Sequence, residues 1–260
     1  MSWDPELYLR FDRERTQPAI DLAARIEADK PRRIIDLGCG PGNSTAVLRS
    51  RWPTAELTGL DSDEEMLLAA RQSYPTVHWI QGDAVAWQST SNFDVVFSNA
   101  LLQWLPDHAA VIARWFAAIK PGGALAVQIP VNFKSPVHQH ILEVADDPRW
   151  KDLTGSTRRA LYASEPNDYY DILSPLTNQF DLWVTEFCHV LAGPEKIVDW
   201  MRGTGLRPFL SVLPSDDERR IFEAEFLDKV TASYPRQSDG KVIFPFRRLF
   251  FIAYRKEDPS

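Results

Sequence analysis

The stretch Arg33–Thr45, RIIDLGCGPGNST, constrains this chain more than any other. Ile34, Ile35 and Leu37 make a short apolar run suited to a buried parallel strand, with the acid Asp36 near its end. Gly38, Gly40 and Gly42 then form a turn, and Asn43, Ser44 or Thr45 opens a helix by accepting a bond from a free backbone N–H. Glycines at such a turn permit positive φ and let a ligand lie against bare backbone that a Cβ would cover. The expectation is a strand–turn–helix unit built to receive a ligand.

Spacing separates the ligand classes. A dinucleotide turn reads GxGxxG, with its third glycine packing helix on strand. Here the order is GxGxG, and Asn43 stands where that third glycine belongs. Asp36, two residues before the first glycine, repels a diphosphate and suits a cation. A nicotinamide-dependent reductase is disfavoured on both counts. The acid-LGCGxG pattern resembles motif I of the class I S-adenosylmethionine-dependent methyltransferases. That resemblance implies that Asp36, Gly38 and Gly40 surround the amino-acid end of the cofactor.

Further acids extend the pattern. Leu57–Leu60 reads as a second strand ending at Asp61, nineteen residues after Gly42, where a carboxylate holds a ribose diol. Asp61, with Ser62 beside it, is therefore a candidate for the nucleoside. The bland alternative makes Asp61 the cap of a helix over 63–74. Thr76–Gln81 reads as a third strand, followed by Gly82, Asp83 and Ala84. In the resembling family an acid here accepts from the adenine amino group, whereas the plain reading is a turn residue. The fourth strand, Phe93–Ser98, runs into Asn99 and on to Trp104, a segment expected beside the first glycine turn, where open α/β sheets bind ligands.

Composition limits the alternatives. The 260 residues, 44% hydrophobic, suffice for one α/β domain of sizeable core. With 29 basic and 36 acidic residues the net charge is −7, which argues against nucleic acid or an anionic membrane surface as partner. Cys39 and Cys188 are too few for a disulfide framework or a metal site. The start, MSWDPELYLRFDRER, has no signal-peptide core, and no apolar run reaches eighteen residues, so a cytoplasmic protein is expected.

In chain order, residues 3–28 read as helix broken at Pro18, with Trp3, Tyr8 and Phe11 either packing an N-terminal arm or forming a lid over 1–30. Helix follows the glycine turn from Ser44, another covers 111–119, and KPGG at 120–123 turns into a fifth strand over 124–129. Strand–helix alternation to residue 130 predicts a doubly wound, mostly parallel sheet with helices on both faces. Residues 131–180 read as an inserted helical cap, 183–191 as a returning strand, 194–201 and 216–233 as helices. The runs 241–246 and 249–254 read as a closing hairpin, completing the seven-stranded, Rossmann-like sheet of a single methyltransferase domain over 1–260.

Longer runs narrow the resemblance. WDPELYLRFDRERTQPAIDL, FDVVFSNALLQWLPDH, DYYDILSPL, VDWMRGTGLRPFL and FPFRRLFFIAYR are similar to the trans-aconitate 2-methyltransferase family over essentially the whole length. The resemblance implies a small polycarboxylate substrate, held by Arg207 and Arg248 with Trp104, Tyr169 (or Tyr170) and Trp200 shaping the pocket. Arg247 competes with Arg248 for its role. It also implies S-adenosyl-L-methionine as cofactor, S-adenosyl-L-homocysteine as product, and a monomethyl ester.

A carboxylate, with a pKa near 4, is already ionised at neutral pH. No general base and no metal are then expected, and the chain has only to hold and aim the anion. A methyltransferase for a hydroxyl, amine or carbon would need a base, for which His138, His140, His189 and Tyr162 are the candidates. A cofactor-binding protein without turnover is the remaining alternative.

Overall fold

The computed structural model describes residues 12–89, 93–157 and 165–256. Trp3, Tyr8, Phe11 and Tyr162 lie outside them. Within the described residues seven strands form one sheet: β1 (Arg33–Leu37), β2 (Glu56–Asp61), β3 (His78–Gln81), β4 (Phe93–Asn99), β5 (Ile119–Pro130), β6 (Phe180–Leu191) and β7 (Val242–Tyr254). Their order is β3-β2-β1-β4-β5-β7-β6. The first five pair in parallel, and β7 runs antiparallel to β5. This is the doubly wound, mostly parallel sheet expected from the alternation of strand and helix.

The parallel strands are apolar on both faces because helices cover both. In β4 Val95, Val96 and Phe97 are completely buried, and each such side chain contributes about 1.5–3 kcal/mol. The covering helices carry identifiable start signals. Asp63 caps α3 (Glu64–Ser73) by accepting from the Glu65 and Met66 amides, and Asp107 caps α4 (His108–Ala117) by accepting from Ala110. Strand order reverses between β1 and β4, which puts the ends of these two strands at the crevice where such sheets take ligands.

Several expectations need correction. Helix α1 (Asp12–Arg25) runs through Pro18 without breaking. A mid-helix proline costs about 3 kcal/mol, and burial of Ala19, Leu22 and Ala23 offsets it. Helix α2 (Asn43–Arg51) is not capped by Asn43, Ser44 or Thr45; its N-cap is Gly42, in the left-handed region and without a side-chain cap. The β5 ladder begins at Ile119, before KPGG, with a register shift opposite Phe93–Val95. The expected closing hairpin is one thirteen-residue strand, β7, since no turn former interrupts its alternation at Arg247 and Arg248.

The chain divides into two compact units. One comprises the described residues within 2–130, 164–185 and 248–260, and so includes β1 to β5, α1 to α4, α7 (Pro166–Leu173) and the last part of β7. The other comprises those within 131–163 and 186–247. It is therefore not the contiguous 131–180 insertion expected. It contains α5 (Pro136–Ala145), α6 (Lys151–Thr154), α8 (Pro194–Arg202), α9 (Arg207–Val212) and α10 (Asp216–Ser233). Helix α10, started by a Ser215–Glu218 capping box, packs on α5 and α8, and Phe222, Phe226 and Val230 are its buried residues. Among the described residues no helix is long and apolar enough to cross a membrane.

Candidate active site

The glycine turn is held open by its own backbone bonds. Gly38, Gly40 and Gly42 have φ of 71°, 54° and 97°, and the Gly38 amide donates to Leu60 O at 2.8 Å. A Cβ on Gly38 would meet the Leu101 side chain at 2.7 Å, so bare backbone is what lets the β4 loop pack there. Ala100, which carries Leu101 to this position, has φ of 58°. A Cβ on Gly40, by contrast, would meet nothing within 4 Å. That is the face left open to a ligand.

Asp36 is completely buried, and its Oδ2 accepts from both Ser44 and Thr45 hydroxyls at 2.6 Å. Neither hydroxyl caps α2, because both residues lie inside its first turn, after the N-cap Gly42; their protons go to the carboxylate instead. Burial pushes the Asp36 carboxyl up to about 6, the two hydroxyls oppose the shift, and Asp61 adds to it. Its Oδ1 is buried with no hydrogen-bond partner.

Asp61 accepts from Gly40 N at 2.8 Å and Asp63 N at 2.9 Å. It is therefore not the cap of α3, a role Asp63 takes. Burial raises its pKa against those two amides. Ser62, exposed beside it, accepts from Gln81 through its carbonyl. Asp83 is exposed and accepts from Val85 N at 2.8 Å, the local turn of the plain reading, with the other carboxylate oxygen making no bond of its own within the described residues. Ala84 is buried, and its carbonyl accepts from Trp115.

Gly38, Gly40 and Asn99 line one narrow cavity together with Ser44, Arg15 and Thr16. Asn99 Oδ1, like Asp36 Oδ1, is a buried acceptor with no partner. Arg15 and Thr16 belong to α1, and nothing in the sequence pattern singled them out. The enclosed space is only about 30 Å³. A nucleoside-sized ligand needs those two residues to move.

In the same unit Arg248, 4% exposed, donates from Nη1 to Gln128 Oε1 at 3.4 Å. Neighbours on a strand face opposite ways, so Arg247 is exposed and lines a groove with Lys134 and Tyr234 in the other unit. Gln128 was missed, although a lone glutamine inside the apolar ALAVQI run was a visible signal. Tyr169 is completely buried and bonds to His108 Nδ1 at 2.9 Å; Tyr170 is exposed. Trp104 ends a 3₁₀ turn over Leu102–Trp104 and is 37% exposed.

Trp200 and Arg207 belong to the second unit. Trp200 is 1% exposed in an aromatic cluster with His189, Phe244 and Phe246, the packing role that aromatic content alone would give it. Arg207 is partly exposed at the start of α9.

Comparison with known proteins bears on this arrangement. Residues 34–123 match the model of a methyltransferase domain. The chain is 43% identical over 254 residues to the trans-aconitate 2-methyltransferase of Azoarcus sp. (strain BH72), covering 98% of this chain and 99% of that one. It is 44% identical to the protein of that name from Methylobacterium radiotolerans, over 96% of this chain and 97% of the relative. The chain belongs to the trans-aconitate 2-methyltransferase family. Two distant structures share the fold of this family member. The YcgJ protein of Bacillus subtilis has a TM-score of 0.61 at 15% identity, over 93% of this chain and all of that one. Haemonchus contortus phosphoethanolamine N-methyltransferase 2, solved with S-adenosylhomocysteine, has 0.55 at 17%, over 92% and 53%.

The residues present fit S-adenosyl-L-methionine, the cofactor of a methyltransferase of this class. An open backbone face at Gly40 and two buried, unpartnered acceptors, Asp36 Oδ1 and Asn99 Oδ1, suit a cationic amino-acid group. Those acceptors would be a poor setting for a diphosphate.

Proposed function

We propose that this chain transfers the methyl group of S-adenosyl-L-methionine to a carboxylate oxygen of trans-aconitate, giving the monomethyl ester and S-adenosyl-L-homocysteine. The observation that carries the reading is the buried guanidinium of Arg248, held by a neutral amide on the same unit as the glycine turn. The names borne by relatives above 40% identity support the substrate.

In this reading Gly38 and Gly40 offer bare backbone to the cofactor, and Asp36 and Asn99 face its amino-acid end. Asp61, with Ser62 beside it, holds the ribose hydroxyls, and Asp83 and Ala84 border the adenine. When bound, the cofactor supplies an electrophilic methyl group on a sulfonium. Arg248 holds a carboxylate of the acceptor, which its planar fork can grip in bidentate fashion without protonating it. Trp104 and Tyr169 shape the acceptor pocket. For Arg207 and Trp200 the same assignment rests on the sequence resemblance alone.

No residue has to remove a proton, because the attacking oxygen is already an anion. His108, in the first unit, has its pKa lowered by burial and is engaged by Tyr169. The chain's contribution is desolvation and aim, an effect that supplies about 7–11 kcal/mol in well-oriented systems. The small cavity under Arg15 and Thr16 supports a lid role for the start of α1, which has to open to admit the cofactor.

The test is incubation with methyl-labelled cofactor and a panel of di- and tricarboxylates, amines and alcohols, with the ester located by NMR. Labelled trans-aconitate monomethyl ester is the expected product. Faster turnover of an amine or alcohol than of any carboxylate overturns the reading.

A further inference from the structure

Strand β5 is apolar from Ala124 to Ile129 except at Gln128, which is completely buried. A guanidinium can only donate, so the atom of Gln128 that faces Arg248 Nη1 is the carbonyl oxygen, and the amide nitrogen points elsewhere. That Nε2 is buried with no hydrogen-bond partner. Leaving a buried donor unmet is unfavourable, and a shorter apolar residue would have filled the strand without the cost.

Register shows what the amide shares its face with. Gln128 is aligned with Asn99 on β4 and with Phe250 on β7, while Arg248 is aligned with Pro130, two residues further on. Asn99, Gln128 and Arg248 therefore project from one face of three adjacent strands. From the glycine-turn cavity outward the order is an unpartnered acceptor, an unpartnered donor and a cation. This sequence suits a ligand pair that is positive at one end and carboxylate at the other.

The neutrality of Gln128 matters as much as its donor. A glutamate in its place would form an ion pair with Arg248, cancel the guanidinium charge and repel an incoming anion. The amide holds the same side chain through a neutral oxygen and adds no negative charge beside it.

We propose that Gln128 is a specificity-determining residue for the acceptor: its Oε1 positions Arg248, and its Nε2 donates a hydrogen bond to the acceptor carboxylate. The proposal rests on the methyl-transfer reading above. It favours anionic acceptors over neutral acids, esters or amides of the same shape.

The experiment measures trans-aconitate binding by calorimetry to the full-length protein saturated with S-adenosylhomocysteine, for the wild type, Gln128→Met and Gln128→Glu. Loss of a hydrogen bond to a charged group predicts about 10-fold weaker acid binding or more for Gln128→Met. Gln128→Glu binds still more weakly. Homocysteine-cofactor affinity stays within about 3-fold in all three, and steady-state turnover shows the change in KM with kcat nearly constant. Wild-type affinity for the acid in both variants overturns the proposal and leaves methyl transfer standing. So does an equal loss of cofactor and acid binding, which marks a merely structural role. A wild type that binds the cofactor product but no carboxylate overturns the substrate reading and this proposal with it. Should thermal melts show Gln128→Glu unfolded, the near-isosteric Gln128→Met decides alone.

Discussion

The backbone amide of Gly40 donates to the carboxylate of Asp61 across 2.8 Å, tying the turn after β1 to the end of β2. One carboxylate oxygen thus orders the loop, and the other accepts from the start of the next helix. Both partners are donors, which explains why an acid is required.

Replacing Asp61 with Asn sets an NH₂ group against one of two backbone N–H groups. Cofactor-product affinity should fall about 10- to 100-fold, the loss expected for a bond to a charged group. Calorimetry with S-adenosylhomocysteine checks it, and an unchanged affinity would remove Asp61 from the site.

If Asp36 faces the cofactor as proposed, binding should depend on pH. Its carboxyl, pushed up to about 6 in the buried site, must be ionised to favour a cation. Affinity for S-adenosylmethionine should be flat above pH 7 and weaken below 6, approaching about 10-fold per pH unit. Asp36→Asn should bind weakly at every pH with no such slope.

Two glycines of the turn should fail in different ways. Gly38→Ala forces a left-handed alanine into Leu101, costing about 2–4 kcal/mol of stability. Gly40→Ala meets no neighbour, so it should lose only about 1 kcal/mol yet obstruct the ligand face. Chemical denaturation read beside cofactor binding separates the two effects.

Acid stability should reveal opposing groups. For Asp36 the folded pKa is raised from 3.8 to about 6, so its contribution is present below the unfolded value and lost as pH rises through 6. For His138, buried and donating to the Asn132 carbonyl, the folded pKa is lowered from 6.5 to about 4; its contribution is present above 6.5 and lost as pH falls through 4. Each shift of about two units corresponds to about 3 kcal/mol. Over pH 4–6 these contributions nearly cancel. Denaturation of His138→Gln should therefore grow more stable toward acid, and Asp36→Asn less stable, while Asp36→Asn is about 3 kcal/mol more stable than wild type at pH 8.

The parallel half of the fold was legible because its strands, acids and caps are local signals. Asp36, Asp61, Asp63 and Asp107 sit at the ends of elements where chain direction must change. The single strand β7 was not legible, since two short apolar runs flanking Arg247 and Arg248 look alike whether the chain bends or continues. The second unit was misjudged because it is assembled from two distant segments, 131–163 and 186–247, and no local pattern records that meeting. Gln128 was visible as the lone polar residue of the ALAVQI run, but that its amide nitrogen lacks a partner is revealed only by packing.

Leu101 rests on the uncovered α carbon of Gly38, presented there by the left-handed Ala100. The loops after β1 and β4 are thereby geared together like two teeth, since close-packed contacts transmit displacement instead of absorbing it. A ligand seated on the first loop should therefore press on the second, and with it on the strand end that carries Asn99. A donor's arrival can in this way be felt along the edge where the acceptor is to be received.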